Sequence, residues 1–208
     1  SNGGVASIRE ASQRPVTTLL SGPAAGVLSG QYTGESAGEE KVITFDMGGT
    51  SADISVLPGR LLERDPRDSE IGEYPAITPM LDIEAIGSGG GSIAWFDQAQ
   101  GFNVGPKSAG ANPGPACYDR GNTEPTIADA QVVLGRIDPD TFLGGELDID
   151  PSLSEQSIQE KLVDAVDQER FSSVEKAALA VLDVANSNMY QSVREQTMQR
   201  GYDPRHYS

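Results

Sequence analysis

A glycine-rich turn between two apolar runs is the feature that most constrains the fold of this chain. Val42–Phe45 ends at Asp46, Gly48-Gly49-Thr50-Ser51 follows, and Ile54–Leu57 begins after Asp53. This pattern predicts a strand, a tight polar loop and a second strand. Paired glycines let the backbone turn sharply, and successive N–H groups in such a turn form a concave anion site. Asp46 and Asp53 can hold a hydrated Mg²⁺, so they are the candidate catalytic residues of a nucleotide-phosphate clamp.

An ordinary β-hairpin explains the same local pattern equally well. A Gly-Gly pair is common between strands, and an aspartate in a turn often caps only its own backbone. The phosphate clamp is favoured by the combination of groups, because a simple turn does not need two aspartates, two glycines and two hydroxyl residues together. The local pattern leaves both interpretations open.

The composition restricts the class of partner. The chain of 208 residues has a formal net charge of −16. Nucleic acids and anionic membranes are therefore unexpected partners, because both attract basic patches.

Cys117 is the only cysteine and His206 the only histidine, which argues against an internal disulfide and a His-based catalytic set. No apolar run approaches the roughly 20 residues that span a bilayer, and no signal segment opens the chain. A single cysteine suits a cytosolic compartment, so a cytoplasmic location is expected.

The positions of turn residues and the spacing of apolar residues divide the chain into three stretches. Residues 1–40 are predicted to hold a first helix, with Ser21 as its cap and small residues that allow close packing, and an exposed acidic turn from Gly34 to Glu40. Residues 41–125 hold the phosphate hairpin, further strands and Gly/Pro-rich loops, and residues 126–208 are helical. Elements of both kinds predict an α/β or α+β architecture, with strands early and long helices late.

A second glycine-rich run, Gly87–Ser92, lies between predicted strands. The strands are predicted at Leu81–Ile86, Ile93–Asp97 and Phe102–Val104, and a long loop at Gly105–Gly121. The run is either a flexible link or a place where a ligand or another backbone approaches closely. The flanking strands and Trp95 favour close approach, so Gly89 and Gly90 are candidate cofactor-binding residues.

Helix signals dominate the last third of the chain. Thr126 with Asp129, and Ser152 with Glu155, have the spacing of capping boxes, and Gly135 is a stop signal. The helix that Ser152 opens is expected to place Ile158, Leu162 and Val166 on one face, and a longer helix is predicted from Val174 to Gln199 with the apolar stripe Val174, Ala177, Ala178, Val181, Leu182, Ala185, Met189 and Val193. Asn186 and Asn188 are polar residues near that stripe that could face a cleft.

Five sequence blocks, in order, resemble the hydantoinase A / 5-oxoprolinase family. They are Ser21–Val27, Asp46–Ser55, Gly87–Ser92, Val104–Tyr118 and Arg200–Pro204. Together they span nearly the whole chain, and members of this family include N-methylhydantoinases, 5-oxoprolinases and subunits of acetone and acetophenone carboxylases. The resemblance implies an ATPase of the actin, Hsp70 and sugar-kinase superfold that phosphorylates a cyclic amide carbonyl or a related oxygen.

The resemblance also implies roles for individual residues. Asp46 would hold the water shell of Mg²⁺, and Gly48, Gly49, Thr50 and Ser51 would bind the terminal phosphates of ATP. The family's other phosphate hairpin is expected upstream of this chain and its adenosine loop downstream, so the chain is expected to hold about half of the nucleotide site and to be inactive alone. The expected partners are a small cyclic amide or ketone and a hydantoinase B-like subunit or domain.

Asp82 and Glu84 form a separate candidate site. Family members often carry a histidine where this chain has Glu84, so a metal or substrate role there is weakened by the change. Both side chains lie on one face of the predicted strand and could supply oxygen ligands to a second divalent metal, or they could be two solvated carboxylates.

Three functions stay open from the sequence. The first is an ATP-dependent hydrolase of cyclic amides, the second is the ATPase subunit of a ketone carboxylase, and the third is a non-catalytic actin-like module that uses nucleotide as a switch. The first two share this module, so the sequence separates them poorly.

Overall fold

The computed structural model describes residues 2–65, 67, 70–71, 74–75, 78–165 and 170–208. The chain divides into two compact units. Unit 1 comprises residues 1–46, 53–85 and 193–208, and unit 2 comprises residues 47–52 and 86–192. Helices and strands both contribute, as the sequence predicts, and no helix among the described residues is long and apolar enough to cross a membrane.

Unit 1 is built around a short sheet. Its elements in chain order are α1 Ile8–Gln13, α2 Ser21–Ala37, β1 Lys41–Met47, β2 Ala52–Pro58, β3 Glu63–Arg64, β4 Glu70–Ile71, β5 Tyr74–Pro75, β6 Met80–Leu81 and β7 Glu84–Ile86. The sheet has the strand order β1-β2-β7, while β3 pairs with β6 and β4 with β5, both antiparallel. Ser208 extends the outer side of β1, because it exchanges backbone hydrogen bonds with Lys41 and Ile43 at 3.0 and 2.9 Å.

Helix α2 packs closely on β1, as its small residues predict. A Cβ built at Gly30 would collide with Thr44 Cγ2, and one at Gly34 would lie 2.5 Å from Val42 Cγ2.

Two details of the prediction for α2 were wrong, its cap and its last residue. The residue before the helix is Leu20, in a left-handed conformation at φ 56°, so Ser21 is the first helical residue and not the cap. The helix also continues to Ala37 through the predicted acidic turn, because buried Gly34 lets the backbone approach β1.

The core of unit 1 is small and apolar. Its buried members are Ala24, Val27, Leu57, Leu81 and Ile83, with Val42 and Leu61 packed against them. The charges and four prolines of residues 58–80 predict a long connection with at most one strand, around Leu61–Arg64. Strand β3 coincides with that prediction, and β4 and β5 are additional strands. The predicted strand Leu81–Ile86 is interrupted at Asp82 and Ile83, so β6 and β7 are separate.

Unit 2 pairs a hairpin with helices. Its elements are β8 Ser92–Phe96, β9 Phe102–Ser108, α3 Ile127–Val133, α4 Pro151–Ile158 and most of α5 Val174–Met198, with a π-helical turn at Gln159–Val163. The predicted stripe on α5 is confirmed, because Ala177, Ala178, Val181, Leu182 and Ala185 are buried against Ala94, Val104, Ile127, Ile158 and Leu162. Met189 packs on the same core, Asn188 donates to the Val104 carbonyl at 3.3 Å, Asn186 is exposed and Val166 lies outside the described residues.

Asp129 holds the start of α3 and a neighbouring turn together. The capping box with Thr126 is confirmed. The buried carboxylate also accepts hydrogen bonds from the backbone N–H groups of Ala116 and Cys117 at 3.1 and 2.9 Å and from Ser154 Oγ at 2.8 Å. The predicted loop Gly105–Gly121 is therefore structured in part, since β9 runs to Ser108 and Ala116–Tyr118 form a 3₁₀ turn.

The predicted cap of α4 was wrong by two residues. Asp150 accepts the Ser152 backbone N–H at 2.9 Å, and Pro151 is the first helical residue. Proline suits that position because its missing N–H would have no partner there. Asp150 is consequently the cap, and Ser152 lies inside the first turn.

Candidate functional site

The two candidate catalytic carboxylates belong to unit 1. Asp46 is the next-to-last residue of β1, and Asp53 is the second residue of β2. Both line a cavity of about 420 Å³ whose other wall includes Gly26 and Gly30 of α2. A Cβ at Gly26 would lie 3.5 Å from Asp46 Oδ2, so the small residues of α2 leave room beside this carboxylate.

The electrostatics of this cavity favour a cation. Burial raises the pKa of Asp53, and the negative charge of Asp46 raises it further. Two carboxylates that share a cavity are stabilised when a divalent ion lies near both, and Mg²⁺ is commonly held by one or two carboxylates with water and phosphate oxygens. Asp46 and Asp53 thus fit a hydrated Mg²⁺.

The loop between the two strands belongs to unit 2 and is held by the second glycine-rich run. The Gly48 N–H donates to the Ser51 carbonyl at 2.8 Å, which closes the turn. The Gly90 N–H donates to the Gly48 carbonyl at 2.9 Å, and the Gly91 N–H donates to the Gly49 carbonyl at 2.5 Å. The two glycine-rich segments are therefore joined by backbone hydrogen bonds.

Gly89 is the point of closest approach between these segments. A Cβ there would lie 2.6 Å from the Thr50 carbonyl carbon and 2.7 Å from the Ser51 nitrogen, so only glycine fits without movement of the backbone. Its own N–H donates to Ser92 Oγ at 2.9 Å. The run Gly87–Ser92 is packed, as the flanking strands indicate, and is not a flexible link.

The hydrogen bonds of the loop set the direction of its free N–H groups. In a planar trans peptide the carbonyl and the following N–H point in opposite directions. Because the carbonyls of Gly48 and Gly49 face the Gly89–Gly91 segment, the N–H groups of Gly49 and Thr50 face away from it. Neither N–H has a protein acceptor within the described part of the chain. Two neighbouring free N–H groups are suited to bind an anion such as a phosphate.

This loop opens on a second cavity, inside unit 2. Its volume is about 770 Å³, and its lining includes Gly48, Gly49, Thr50, Gly90 and Gly91. All of the predicted phosphate-binding residues except Ser51 and Gly89 thus line one cavity. Tyr118, Arg120 and Gln131 line it too, and the sequence pattern had singled out none of them as a site residue.

Asp82 and Glu84 lie elsewhere in unit 1 and are paired with arginines. Arg64 Nη2 is 3.4 Å from Asp82 Oδ1 and 3.2 Å from Glu84 Oε2. Arg200 also pairs with Asp82, across a sequence separation of 118 residues. Over the described ranges, no group of three or more His, Cys, Asp or Glu side chains is placed to hold a metal. A metal role for Asp82 and Glu84 stays a prediction, and their arginine partners had no signal in the local sequence pattern.

The single cysteine and histidine have other surroundings. Cys117 is buried in unit 2, and burial followed by the charge of Asp129 raises the pKa of its thiol to about 12. The thiol is therefore neutral at ordinary pH and a poor nucleophile. His206 is exposed in the 3₁₀ turn Pro204–His206 of unit 1.

Comparison with known proteins places these features in a family. The sequence profile of the family described as hydantoinase/oxoprolinase matches residues 1–208. The caprolactamase subunit alpha of Pseudomonas jessenii is 38% identical over 208 residues, covering 100% of this chain and 29% of the relative. The crystal structure of the ATP-dependent caprolactamase from that organism gives a TM-score of 0.77 at 37% identity, covering 92% of this chain and 27% of that one.

A nucleotide-free structure of acetone carboxylase, from a study of ATP-dependent acetone carboxylation, gives a TM-score of 0.83 at 29% identity. It covers 100% of this chain and 28% of that one. The chain thus spans less than a third of the length of these relatives. Both solved relatives are ATP-dependent enzymes with mixed α/β structure, and they act in different reactions. The match over every residue shows that this chain belongs to the hydantoinase/oxoprolinase family.

Proposed function

We propose that this chain is the phosphate-binding part of an ATP-dependent enzyme that phosphorylates the carbonyl oxygen of a cyclic amide. The observation that carries the proposal is the pair of free N–H groups at Gly49 and Thr50, held in place by the Gly90 and Gly91 hydrogen bonds. The 38% identity to a caprolactamase subunit supports an amide substrate, because caprolactam is a cyclic amide. We infer that the complete module has the actin, Hsp70 and sugar-kinase superfold and works in the cytoplasm.

Each residue of the hairpin has a part in this proposal. The N–H groups of Gly49 and Thr50 and the Ser51 hydroxyl bind the terminal phosphate oxygens of ATP, while Gly48 closes the turn through its N–H and leaves room for the phosphate. Gly89 and Gly90 hold the loop in this conformation. Asp46 and Asp53 hold Mg²⁺ through its water shell, and the ion supplies charge that neutralises the phosphates.

The chemistry needs little more from this part of the enzyme. An amide carbonyl is a poor electrophile and its nitrogen is a poor leaving group, so hydrolysis is slow without activation. When the carbonyl oxygen bonds to the terminal phosphorus of ATP, the bond to the bridging oxygen breaks and ADP leaves. Water then adds to the carbon of the phosphorylated amide, the ring C–N bond breaks, and the resulting acyl phosphate is hydrolysed to a carboxylate and inorganic phosphate. Backbone N–H groups lower the barrier because they neutralise charge on the phosphoryl oxygens without reorganising.

A ketone carboxylase subunit is the second candidate. The TM-score of 0.83 with acetone carboxylase supports it, and enolate phosphorylation would use the same loop and carboxylates. The third candidate, a nucleotide switch without catalysis, would bind ATP but show no substrate-dependent turnover. The caprolactamase relative is named as a subunit, which supports a partner subunit in any of these functions. We propose that this partner is of the hydantoinase B type.

ATP turnover of the full-length subunit with its partner subunit separates the three candidates. ADP release would be measured with lactams of five to seven ring atoms, hydantoin, 5-oxoproline, and acetone with bicarbonate. Our proposal expects stimulation by one or more cyclic amides. Stimulation by acetone with bicarbonate alone would assign the carboxylase function. Nucleotide binding with no stimulation by any of them would contradict both enzymatic functions.

A further inference from the structure

We propose that the 770 Å³ cavity of unit 2 receives the amide substrate and that Gln131 recognises the amide by hydrogen-bonding its carbonyl and its N–H together. This inference rests on the proposed function and deepens it, because it names a substrate class and a specificity residue.

The cavity has the size and lining of a small-molecule site. Such sites are mostly apolar pockets of about 300–1,000 Å³ with a few polar groups that orient the ligand. Ile137, Phe142, Leu143 and Leu147 form an apolar wall, and the Phe142 ring lies 6.0 Å from the Tyr118 ring, centroid to centroid. Methylene groups of a lactam ring would be favourable against this wall. The phosphate-binding loop lines the same cavity, as a phosphoryl-transfer site requires.

Three polar side chains line the cavity with hydrogen-bonding capacity to spare. The side-chain amide of Gln131 makes no hydrogen bond within the described residues. Arg120 uses Nη1 to bind the Ala111 carbonyl at 3.2 Å and lies over the Tyr118 ring at 5.6 Å, which leaves its other N–H groups free. Burial raises the pKa of Tyr118, so its hydroxyl stays protonated and can donate.

The position of Gln131 is fixed by a well-packed helix. It lies on α3, between buried Ala130 and Val132. The helix start is held by Asp129, whose carboxylate accepts the Thr126 backbone N–H and hydroxyl at 2.9 and 2.7 Å. A site on a packed helix positions its side chains more precisely than a site on a loop.

The amide edge of a small lactam matches a glutamine side chain. In a ring of five to seven atoms the amide is cis, so its C=O and N–H lie on the same edge. A glutamine amide offers an NH₂ donor and a carbonyl acceptor on one edge, so the two can form two parallel hydrogen bonds. A ketone or an N-methylated lactam has no N–H and can form only one. Gln131 would therefore favour an N–H lactam and hold its carbonyl oxygen for transfer.

The test compares an N–H lactam with its N-methyl derivative in the full-length enzyme with its partner subunit. The probes are caprolactam and N-methylcaprolactam, and the readout is the ratio of their kcat/KM values for ADP release. We expect wild type to prefer caprolactam by about 10- to 100-fold, the range for one lost hydrogen-bonding partner. In Gln131→Met the ratio should fall to within about threefold of one. The matched control is Gln156→Met, at an exposed helical position, which should keep the wild-type ratio.

The ratio separates recognition from general damage, because a structural defect lowers both rates together. If Gln131→Met lowers the thermal midpoint substantially, Gln131→Leu replaces it, since leucine also favours a helix and has neither the donor nor the acceptor. An unchanged ratio in these variants, with caprolactam still turned over, would overturn this inference and leave the proposed function standing. No ADP release with any cyclic amide in wild type would contradict the proposed function itself, and this inference with it.

Discussion

Units 1 and 2 each contain part of the stretch Asp46–Ser55, and the binding groups that we propose in them are of different kinds. In unit 1 they are side chains, Asp46 and Asp53, in a cavity that the small residues of α2 leave open. In unit 2 they are backbone N–H groups of Gly49 and Thr50, whose direction is set by hydrogen bonds to the Gly89–Gly91 segment.

The two kinds of binding group should differ in the substitutions that they tolerate. Side-chain sites depend on charge, so removal of a carboxylate should act strongly while volume matters less. Backbone sites have no side-chain charge to remove, and they depend on the close approach of two segments. Adding a methyl group at the point of approach should therefore lower activity, as removing a carboxylate does at a side-chain site.

Asp46→Asn should lower the ATP turnover of the full-length enzyme by about 10³-fold, equivalent to roughly 4 kcal/mol of transition-state stabilisation. The amide has no charge to hold a divalent cation, although its shape is nearly unchanged. The measurement is steady-state ADP release as a function of Mg²⁺ concentration. The control is Asp183→Asn, an exposed position on α5, which should behave as wild type. Turnover within tenfold of wild type would remove Asp46 from the site.

Gly89→Ala should lower kcat/KM for ATP by about 100-fold and the free energy of unfolding by about 2 kcal/mol. The new Cβ would meet backbone atoms of Thr50 and Ser51 at 2.6 and 2.7 Å, so the loop must move. Gly22→Ala is the control, because a Cβ at that helical position has open space around it. That change should raise stability by up to about 1 kcal/mol. Unaltered ATP kinetics in Gly89→Ala would show that the loop conformation is not critical.

Asp82→Asn should lower the free energy of unfolding by about 1–2 kcal/mol, because it weakens the contacts with Arg64 and Arg200. Glu84→Gln is the control and should cost below about 0.5 kcal/mol, since Glu84 has one arginine contact and a side chain that is 44% exposed. Thermal unfolding of both variants would be compared with and without EDTA. A wild-type midpoint that EDTA lowers, and that Asp82→Asn makes insensitive to EDTA, would instead support the predicted metal site.

Asp53→Asn should have the smallest effect on the free energy of unfolding, and this effect should depend on pH. Because the pKa of Asp53 is raised in the folded state, the native protein binds this proton more tightly than the unfolded chain does. The contribution of Asp53 to the free energy of unfolding is present at low pH, and it is lost as the pH rises from about 3.8 through the raised pKa. The variant should therefore be more stable than wild type at pH 7, by less than about 1 kcal/mol, with no gain below pH of about 4.

Thermal midpoints of wild type and Asp53→Asn between pH 3 and 8 would check this sign. Asp46→Asn is the companion variant, because burial is the larger cause of the shift and the Asp46 charge the smaller. It should reduce the pH dependence only in part. A variant that is less stable than wild type at pH 7 would contradict the raised pKa.

Much of the fold could be predicted where the signal is local. The strand, loop and strand around Asp46, the Thr126–Asp129 box and the stripe on α5 rest on residues within a few turns of one another. The cap of α4 was missed although Asp150-Pro151 carried a signal, since proline at the first helical position favours the residue before it as the cap. The helix end at Ala37 was missed because tertiary packing of Gly34 outweighs its low helix propensity.

The family, the hairpin and the two carboxylates could be recognised from the sequence, because ordered blocks of neighbouring residues carry that information. The direction of the backbone N–H groups and the lining of the cavities depend on tertiary packing. The N–H groups of Gly49 and Thr50 point away from Gly89–Gly91 because N–H groups of that segment, some 40 residues later in the chain, donate to the Gly48 and Gly49 carbonyls. Gln131 reaches the cavity of unit 2 because α3 is held there by Asp129. Such groups are far apart in sequence, and only packing brings them together.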